Sequence, residues 1–195
     1  MPLALLALTI SAFAIGTTEF VIVGLVPTIA EQLAISLPSA GMLVSIYALG
    51  VAIGAPVLTA LTGKLPRKQL LLALMVLFTI GNLLAWQAPG YATLVVARLL
   101  TGLAHGVFFS IGSTIATSLV PKDKAASAIA IMFGGLTVAL VTGVPMGTFI
   151  GQHFGWRETF LAVSLLGVIA LIASAVLIPR NIPGRAPASL AEQVK

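Results

Sequence analysis

Two formally charged side chains, Glu19 and Arg98, fall well inside long apolar stretches of the sequence. A charge at the centre of a membrane-spanning segment costs on the order of 3 kcal/mol or more unless it is paired or hydrated. Because the protonation of a carboxylate responds to a nearby guanidinium or cationic ligand, this pair could exchange protons in a controlled way. A fixed ion pair that joins two segments is the alternative. We favour the proton-exchange role, since desolvation of a buried pair can exceed its Coulomb gain.

Arg98 begins a stripe of residues with the spacing of one helix face. Gly102, His105 and Phe109 follow it at i+4, i+7 and i+11. His105 can carry a proton near neutral pH or can be a hydrogen-bonded packing residue, and the sequence leaves both roles open. Gly102, His105, Phe109 and the neighbouring Thr101 are candidates to line a cavity. For the Thr101 hydroxyl, a bond to the backbone of its own helix is the favoured interpretation.

No catalytic arrangement accompanies these residues in the sequence. Ser113 and His105 lie on the same predicted helix, about 12 Å apart along its axis. A nucleophile and its base need a contact of about 3 Å. The sequence has no cysteine, and it has neither the spacing of a metal-ligand cluster nor a phosphate-binding Gly-Lys-Ser/Thr loop. We therefore expect no enzyme, no metal ion and no cofactor.

Six long apolar runs must position the two charges. The chain is 59% hydrophobic and 8% charged, whereas a soluble domain has about 25% charged residues. A membrane-spanning helix needs about 20 apolar residues, and we predict spans 1 to 6 at residues 3–26, 39–62, 69–86, 91–119, 125–150 and 158–177. Pro27 follows span 1, and Ser36 with Ser39 supplies capping chemistry for span 2. The predicted fold is an all-α integral membrane protein.

Basic residues alternate between the breaks that separate the spans. The second and fourth breaks and the C-terminal tail together carry eight of the ten Lys and Arg residues. Because Lys and Arg in short loops stay on the cytoplasmic side, we predict that both termini are cytoplasmic. The net charge of +5 then lies mainly at helix ends, where it meets lipid headgroups. The bilayer is the expected partner of these charges, and a nucleic acid is not.

This topology places Glu19 and Arg98 at matched depth. Glu19 precedes Val26 by seven residues, and Arg98 follows Tyr91 by seven residues. Each therefore lies about 10 Å from the outer end of its span. Opposite charges at one depth could pair directly or share a wet cavity, and the sequence leaves open whether they touch.

An internal repeat relates the two halves of this array. Gly54-Ala55-Pro56 recurs 89 residues later as Gly143-Val144-Pro145, and the same offset places Pro66-Arg67-Lys68 over Gly155-Trp156-Arg157. With three spans in each copy, the two copies must be inverted in the membrane. Glycines also occur at the four-residue spacing of close helix packing, as Gly50/Gly54, Gly102/Gly106 and Gly143/Gly147/Gly151.

Three segments carry a family resemblance. The first runs from Phe13 through Glu19 to Val21 and on from Gly24 to Ala30. The second is Arg98-Leu99-Leu100-Thr101-Gly102 with His105-Gly106. The third is Gly143-Val144-Pro145-Met146-Gly147-Thr148, with Gly155-Trp156-Arg157 following. Together they resemble the N-terminal six-helix half of a major facilitator superfamily transporter. The chain looks most similar to the drug:proton antiporter group that includes arabinose/sugar and purine efflux permeases. The resemblance covers residues 3 to about 180.

The resemblance implies roles for the residues that match. Glu19 takes the place of the acidic residue that serves proton coupling, and Arg98 takes the place of the arginine implicated in it. Gly143, Pro145 and Gly147 match the antiporter motif of span 5, which implies a flexible helix that faces a second half. Thr101 replaces the glutamine often found in the second segment, and Val144 separates the usual Gly-Pro in the third.

The loop between spans 2 and 3 departs from the family pattern. The basic positions Lys64, Arg67 and Lys68 are kept, but Gly63 takes the acidic place and Pro66 takes a glycine place. The resemblance implies that this loop is a cytoplasmic gate, locked in the family by an Asp charge and a helix-end dipole. Without that Asp the lock must be weaker or built differently. Arg67 and Lys68 remain gate candidates besides fixing this loop on the cytoplasmic side.

The resembled transporters have twelve helices. Here residues 1–180 form one six-span domain, and the polar, Pro-containing segment 181–195 has the composition of a cytoplasmic linker. We expect a second six-helix half, either in a longer chain or as a dimer partner. The expected function is proton-coupled efflux of a small organic solute across a bacterial inner membrane by alternating access. A sugar or nucleobase facilitator or symporter, and a non-transporting membrane scaffold or subunit, are the alternatives.

Overall fold

The computed structural model describes residues 3–62, 65–180 and 182, the side chains of 59–61 excepted. Its helices are α1 (Leu3–Gln32), α2 (Leu37–Thr62), α3 (Arg67–Trp86), α4 (Tyr91–Ser118), α5 (Ala125–Val138), α6 (Val144–Phe154) and α7 (Trp156–Leu177). Six segments are long and apolar enough to cross a membrane. Spans 1 to 4 are α1 to α4, span 5 is α5 continued by α6, and span 6 is α7. The predicted all-helical membrane fold is confirmed.

Span 1 extends six residues beyond its predicted end because Pro27 does not stop it. Pro27 lies inside α1, and membrane helices tolerate a proline that removes one backbone donor. The helix ends instead at Gln32, and Ala34 just beyond it has a φ of 51°. The Ile35 N–H donates to the Ala30 carbonyl over 3.0 Å, and the Ala34 N–H donates to the Glu31 carbonyl over 3.2 Å. These two bonds form a Schellman motif, which satisfies carbonyls at the helix end.

The packing of the spans has internal two-fold symmetry. In the first repeat, spans 2 and 3 both pack on span 4. In the second repeat, their counterparts, spans 5 and 6, both pack on span 1. Spans 3 and 6 pack on each other. Exchanging spans 1–3 with spans 4–6 therefore preserves these main contacts, as two inverted three-helix repeats require.

Two basic residues 89 positions apart make the same kind of contact at opposite ends of the bundle. Lys68 Nζ donates to the carbonyls of Ala175 (2.7 Å) and Ile178 (2.5 Å) at the end of span 6. Arg157 donates through Nη2 (2.9 Å) and Nε (3.3 Å) to the Ala88 carbonyl, just after span 3. The last carbonyls of a helix lack backbone partners and attract cations. The sequence repeat aligns Lys68 with Arg157, so these caps are matching features of the two copies.

Glycines allow spans 2 and 4 to approach each other backbone to backbone. A Cβ atom on Gly102 would lie 2.3 Å from the Tyr47 carbonyl oxygen and 3.2 Å from the Gly50 Cα. A Cβ on Gly54 would lie 2.6 Å from the Leu103 carbonyl oxygen. The four-residue glycine spacing of these spans therefore serves close helix packing.

The glycines of span 5 face span 1 inside the same six-span bundle. In order along the two helices, the facing pairs are Gly143 with Thr17, Gly147 with Val21, and Gly151 with Leu25. A small-residue face is what lets span 1 approach closely. The expectation that this helix also faces a second half stays a prediction.

A π turn interrupts span 5 at Ala139–Gly143. Pro145 follows in the first turn of α6, and it has no N–H to donate to the carbonyl of Val141 four residues earlier. Bends in helices commonly occur at prolines and π turns. The turn packs on span 1, so span 5 has the local geometry for bending next to the helix that carries Glu19.

A buried polar layer separates two apolar cores. One core contains Leu8, Phe78 and Phe108, and the other contains Leu25 and Phe160. Between them in spans 1, 3 and 4 lie the buried polar residues Thr17, Thr18, Asn82, Arg98 and Thr101. The candidate site is built on this layer.

Candidate functional site

Arg98 joins three spans at the centre of the polar layer. Its side chain is 1% exposed. Nη1 donates to the Thr18 carbonyl in span 1 over 2.9 Å, and Nε donates to the Leu43 carbonyl in span 2 over 3.4 Å. The guanidinium carbon lies 4.1 Å from the centre of the Tyr47 ring, a cation–π contact. Nη2 has no hydrogen-bond partner within the described part of the chain.

Glu19 lies beside His105 instead of forming an ion pair with Arg98. A Glu19 carboxylate oxygen lies 3.7 Å from His105 Nδ1. Among the described side chains, His105 is the ion-pair partner that Glu19 has within 4.0 Å. The charges of Glu19 and Arg98 still interact through space. The Glu19 side chain is 26% exposed, whereas Arg98 is buried. The two residues therefore share one cluster without direct contact.

Tyr47 links the two ends of this cluster, and sequence reasoning missed it. Its hydroxyl lies 2.9 Å from His105 Nδ1, its ring centre lies 5.7 Å from that of His105, and Arg98 covers its face. Tyr47 is 2% exposed. The available signal was a tyrosine in the middle of span 2, where a buried hydroxyl needs a partner. No sequence spacing identifies that partner, because it lies 58 residues away.

An aromatic group extends the cluster toward span 5. The ring centres of His105 and Phe109 lie 4.9 Å apart, as do those of Phe109 and Phe133. Phe133 is 39% exposed, so the group reaches the open face of the bundle. His105 and Phe109 are half-buried and keep the access that a cavity role needs. Phe133 was also missed by sequence reasoning.

The other two cavity candidates are enclosed by helix packing. Thr101 is buried, and its hydroxyl donates to the carbonyls of Ala97 (2.9 Å) and Arg98 (3.1 Å) of its own helix. Gly102 is covered by the backbone of span 2. Gly102 lies in the contact between spans 2 and 4, whereas the Thr101 methyl group faces Gly81 of span 3; neither residue lines the open face.

The predicted gate loop is described in part. Gly63 and Lys64 lie outside the described residues. Arg67 begins α3 and is half-buried. Lys68 caps the end of span 6 with its ammonium group, so it holds two spans of the same bundle together. Thus Lys68, one of the residues predicted to act in a gate, makes its contacts within the six-span bundle.

The cluster brings together groups that can hold a proton and a fixed positive charge. Glu19, His105 and Tyr47 are hydrogen-bonding groups that can each hold a proton, and Arg98 supplies a fixed positive charge. Among the described residues, no three His, Cys, Asp or Glu side chains gather as a metal cluster. The arrangement can move a proton between neighbouring groups, and the aromatic side chains offer apolar surface beside it.

Comparisons with known proteins agree with this architecture. The chain is 54% identical over 192 residues to the MFS-type transporter YtbD of Bacillus subtilis, covering 98% of this chain and 48% of that protein. It is 50% identical to the inner membrane transport protein YdhP of Escherichia coli, covering 94% and 47%. It is 38% identical to a chloramphenicol resistance protein of Streptomyces lividans, covering 97% and 47%. The chain thus spans about half the length of these relatives.

A solved structure shows the same fold. A crystal structure of a POT peptide transporter matches with a TM-score of 0.81 at 16% identity, over 100% of this chain and 43% of that one. Residues 8–195 also match the sequence profile of the Major Facilitator Superfamily. The six spans, their symmetric packing and these matches lead to one conclusion: the chain is a multi-pass membrane protein and belongs to the Major Facilitator Superfamily.

Proposed function

We propose that this chain forms the N-terminal six-span half of an exporter that exchanges protons for a small organic solute. The observation that carries the proposal is the position of Glu19. Its carboxylate lies within span 1, is 26% exposed and has His105 Nδ1 at 3.7 Å. A carboxylate that is open to water on one side and contacts an imidazole on the other can take up and release a proton during transport.

The contacts of Arg98 support proton exchange over a fixed staple. Arg98 is held by the Thr18 and Leu43 carbonyls and by the Tyr47 ring. These contacts hold its side chain without a direct bond to Glu19. Glu19 is therefore not required as the structural partner of a buried ion pair, and its proton can leave without breaking the contacts that join spans 1, 2 and 4.

The named relatives support the kind of solute and the location. One is a chloramphenicol resistance protein, which favours a small organic molecule as the exported solute. Another is an inner membrane transport protein, which favours a bacterial inner membrane. The aromatic side chains of Phe109, which packs on His105, and Phe133, which packs on Phe109, provide the apolar contact that such a solute needs.

A second six-span half is part of the proposal. Spans 2 and 5 are the least buried of the six, and they present exposed apolar side chains that include Leu49, Ile53, Val141, Met146 and Phe149. Lipid or protein can cover such faces. Because the relatives are about twice as long, we assign this cover to a second half. Rocking of the two halves about the cluster would give alternating access.

The test is Glu19→Gln in the full-length transporter, reconstituted in vesicles with a pH gradient. We expect gradient-driven accumulation of chloramphenicol, the first test solute, to be lost because the amide cannot exchange a proton. Glu31→Gln is the matched control, since Glu31 is an exposed carboxylate near the outer end of the same helix. Retained gradient-driven accumulation in Glu19→Gln would falsify the proposed role.

A further inference from the structure

Tyr47 lies between the two ends of the Glu19–Arg98 cluster. The face of its ring is covered by the Arg98 guanidinium at 4.1 Å, and its hydroxyl reaches His105 Nδ1 at 2.9 Å. Arg98 and His105 are seven residues apart on span 4, about 10 Å along the helix. Tyr47 can reach both because Gly102, between them, lets the backbone of span 2 come close. The tyrosine is therefore held from both sides by one helix.

The hydrogen bond between Tyr47 and His105 has a preferred direction. If His105 Nδ1 carried the hydrogen, it would donate to the Tyr47 oxygen. The Tyr47 hydroxyl hydrogen would then be buried without an acceptor among the described residues, because His105 is the partner that this hydroxyl has there. An unpaired buried donor costs about 1–3 kcal/mol. With neutral His105, Tyr47 therefore donates to Nδ1, and the imidazole hydrogen sits on Nε2.

Nδ1 is also the atom that Glu19 approaches. The carboxylate oxygen lies 3.7 Å from it, so Glu19 and Tyr47 face the same nitrogen from two spans. The other charged group facing the pair is Arg98, on span 4. Span 3 presents the amide of Asn82, which accepts a bond from Thr18, and span 5 presents the uncharged ring of Phe133. Glu19 and Tyr47 thus compete for one hydrogen-bonding position.

We propose that Tyr47 is a positioning residue for proton exchange, whose hydroxyl occupies His105 Nδ1 and so keeps the exchanged proton on Glu19. This inference rests on the proposed proton-coupled function. When the hydroxyl turns away, Nδ1 can accept the Glu19 proton. The O–H bond of the carboxyl group breaks, an N–H bond forms at Nδ1, and the new N–H donates to the Tyr47 oxygen or the carboxylate. Nε2 keeps its hydrogen, so the product is an imidazolium beside a carboxylate.

The experiment is Tyr47→Phe in the full-length protein in lipid vesicles. The substitution removes the hydroxyl and keeps the ring that Arg98 covers. Tyr91→Phe is the matched control. Tyr91 is the other tyrosine of this sequence, and its hydroxyl donates to the Ser39 carbonyl over 2.6 Å. This bond also joins spans 2 and 4, but its partner is not titratable. Nitrogen-15 NMR of labelled histidine reports the tautomer, and His105→Gln assigns the signal.

For the unmodified protein and Tyr91→Phe, we expect neutral His105 to carry its hydrogen on Nε2. In Tyr47→Phe, Nδ1 loses its donor, so we expect more than half of neutral His105 to carry the hydrogen on Nδ1, directed at Glu19. The midpoint of the pH profile for proton-driven transport should also move, by about half a pH unit or more, in Tyr47→Phe alone.

Several outcomes would overturn this inference. The first is an Nδ1–H tautomer of His105 in the unmodified protein, a measurement that needs no variant. The other two are an unchanged tautomer and an unchanged pH profile in Tyr47→Phe. The NMR measurement does not depend on transport. Full coupled transport in Glu19→Gln with the expected tautomer shift would refute the proposed function. An unchanged tautomer with an inactive Glu19→Gln would refute this inference alone.

Discussion

Gly102→Ala tests the close approach of spans 2 and 4 on which the site depends. The new Cβ would lie 2.3 Å from the Tyr47 carbonyl oxygen and 3.2 Å from the Gly50 Cα. Non-bonded heavy atoms prefer a separation of about 3.5 Å, so the two spans must move apart by about 1 Å. Overpacking of this kind costs about 1–3 kcal/mol. In a chain of this size that corresponds to a fall in melting temperature of about 2–12 °C.

The assay is thermal melting of the detergent-solubilised protein, followed by the loss of its monodisperse gel-filtration peak. Gly41→Ala is the matched control, because Gly41 lies in span 2 and a Cβ there would meet nothing within 4 Å. We expect this control to melt at the same temperature or higher, since alanine favours a helix over glycine by about 0.5–1 kcal/mol. If Gly102→Ala melts at the same temperature as the unmodified protein, the spans are not held at the distance that the structure shows, and Tyr47 is not held between Arg98 and His105.

Two further predictions concern the basic residues at the ends of the bundle. Lys68→Met and Arg157→Met should each lower the free energy of unfolding by about 1 kcal/mol, because each leaves helix-end carbonyls without a cation. The two effects should add within about 0.5 kcal/mol, since the two residues lie at opposite ends of the bundle. The control is Lys124→Cys, an exposed substitution that should leave stability unchanged. Strong non-additivity in melting experiments would show that the two caps are not independent. Because the chain has no native cysteine in this sequence, Lys124→Cys should react with an impermeant thiol reagent only from the cytoplasmic side, and Gln152→Cys only from the outside. Labelling in the reverse sense would invert the proposed topology.

The end of span 1 shows why some boundaries could not be predicted. Proline is the strongest local stop signal in a sequence, so Pro27 indicated an end at Val26. The helix passes through Pro27 and ends in a Schellman motif at Ala34. Alanine rarely adopts a positive φ, and its use there depends on the backbone bonds to Ala30 and Glu31. Span 2 begins at Leu37, two residues before its predicted start. The predicted capping chemistry is present, because the Ser36 hydroxyl accepts a bond from the Ser39 N–H over 3.2 Å.

The candidate site was partly predictable for a related reason. The helical period places Arg98, Gly102, His105 and Phe109 on one face, and the structure uses this face for contacts to spans 1 and 2. The prediction did not include Tyr47. Its role depends on the distance and rotation between spans 2 and 4, and those are set by glycines on both helices.

The sequence by itself determined the six apolar spans and the all-helical fold. Each of these follows from local composition and from the fixed rise of a helix. Only the tertiary structure decided which groups meet: Glu19 with His105, Tyr47 with both His105 and Arg98, and Lys68 with the end of span 6. These contacts depend on how far each helix is rotated about its axis and how closely it approaches its neighbour. Small residues on facing helices set both quantities, and their combined effect appears only when all six spans pack together.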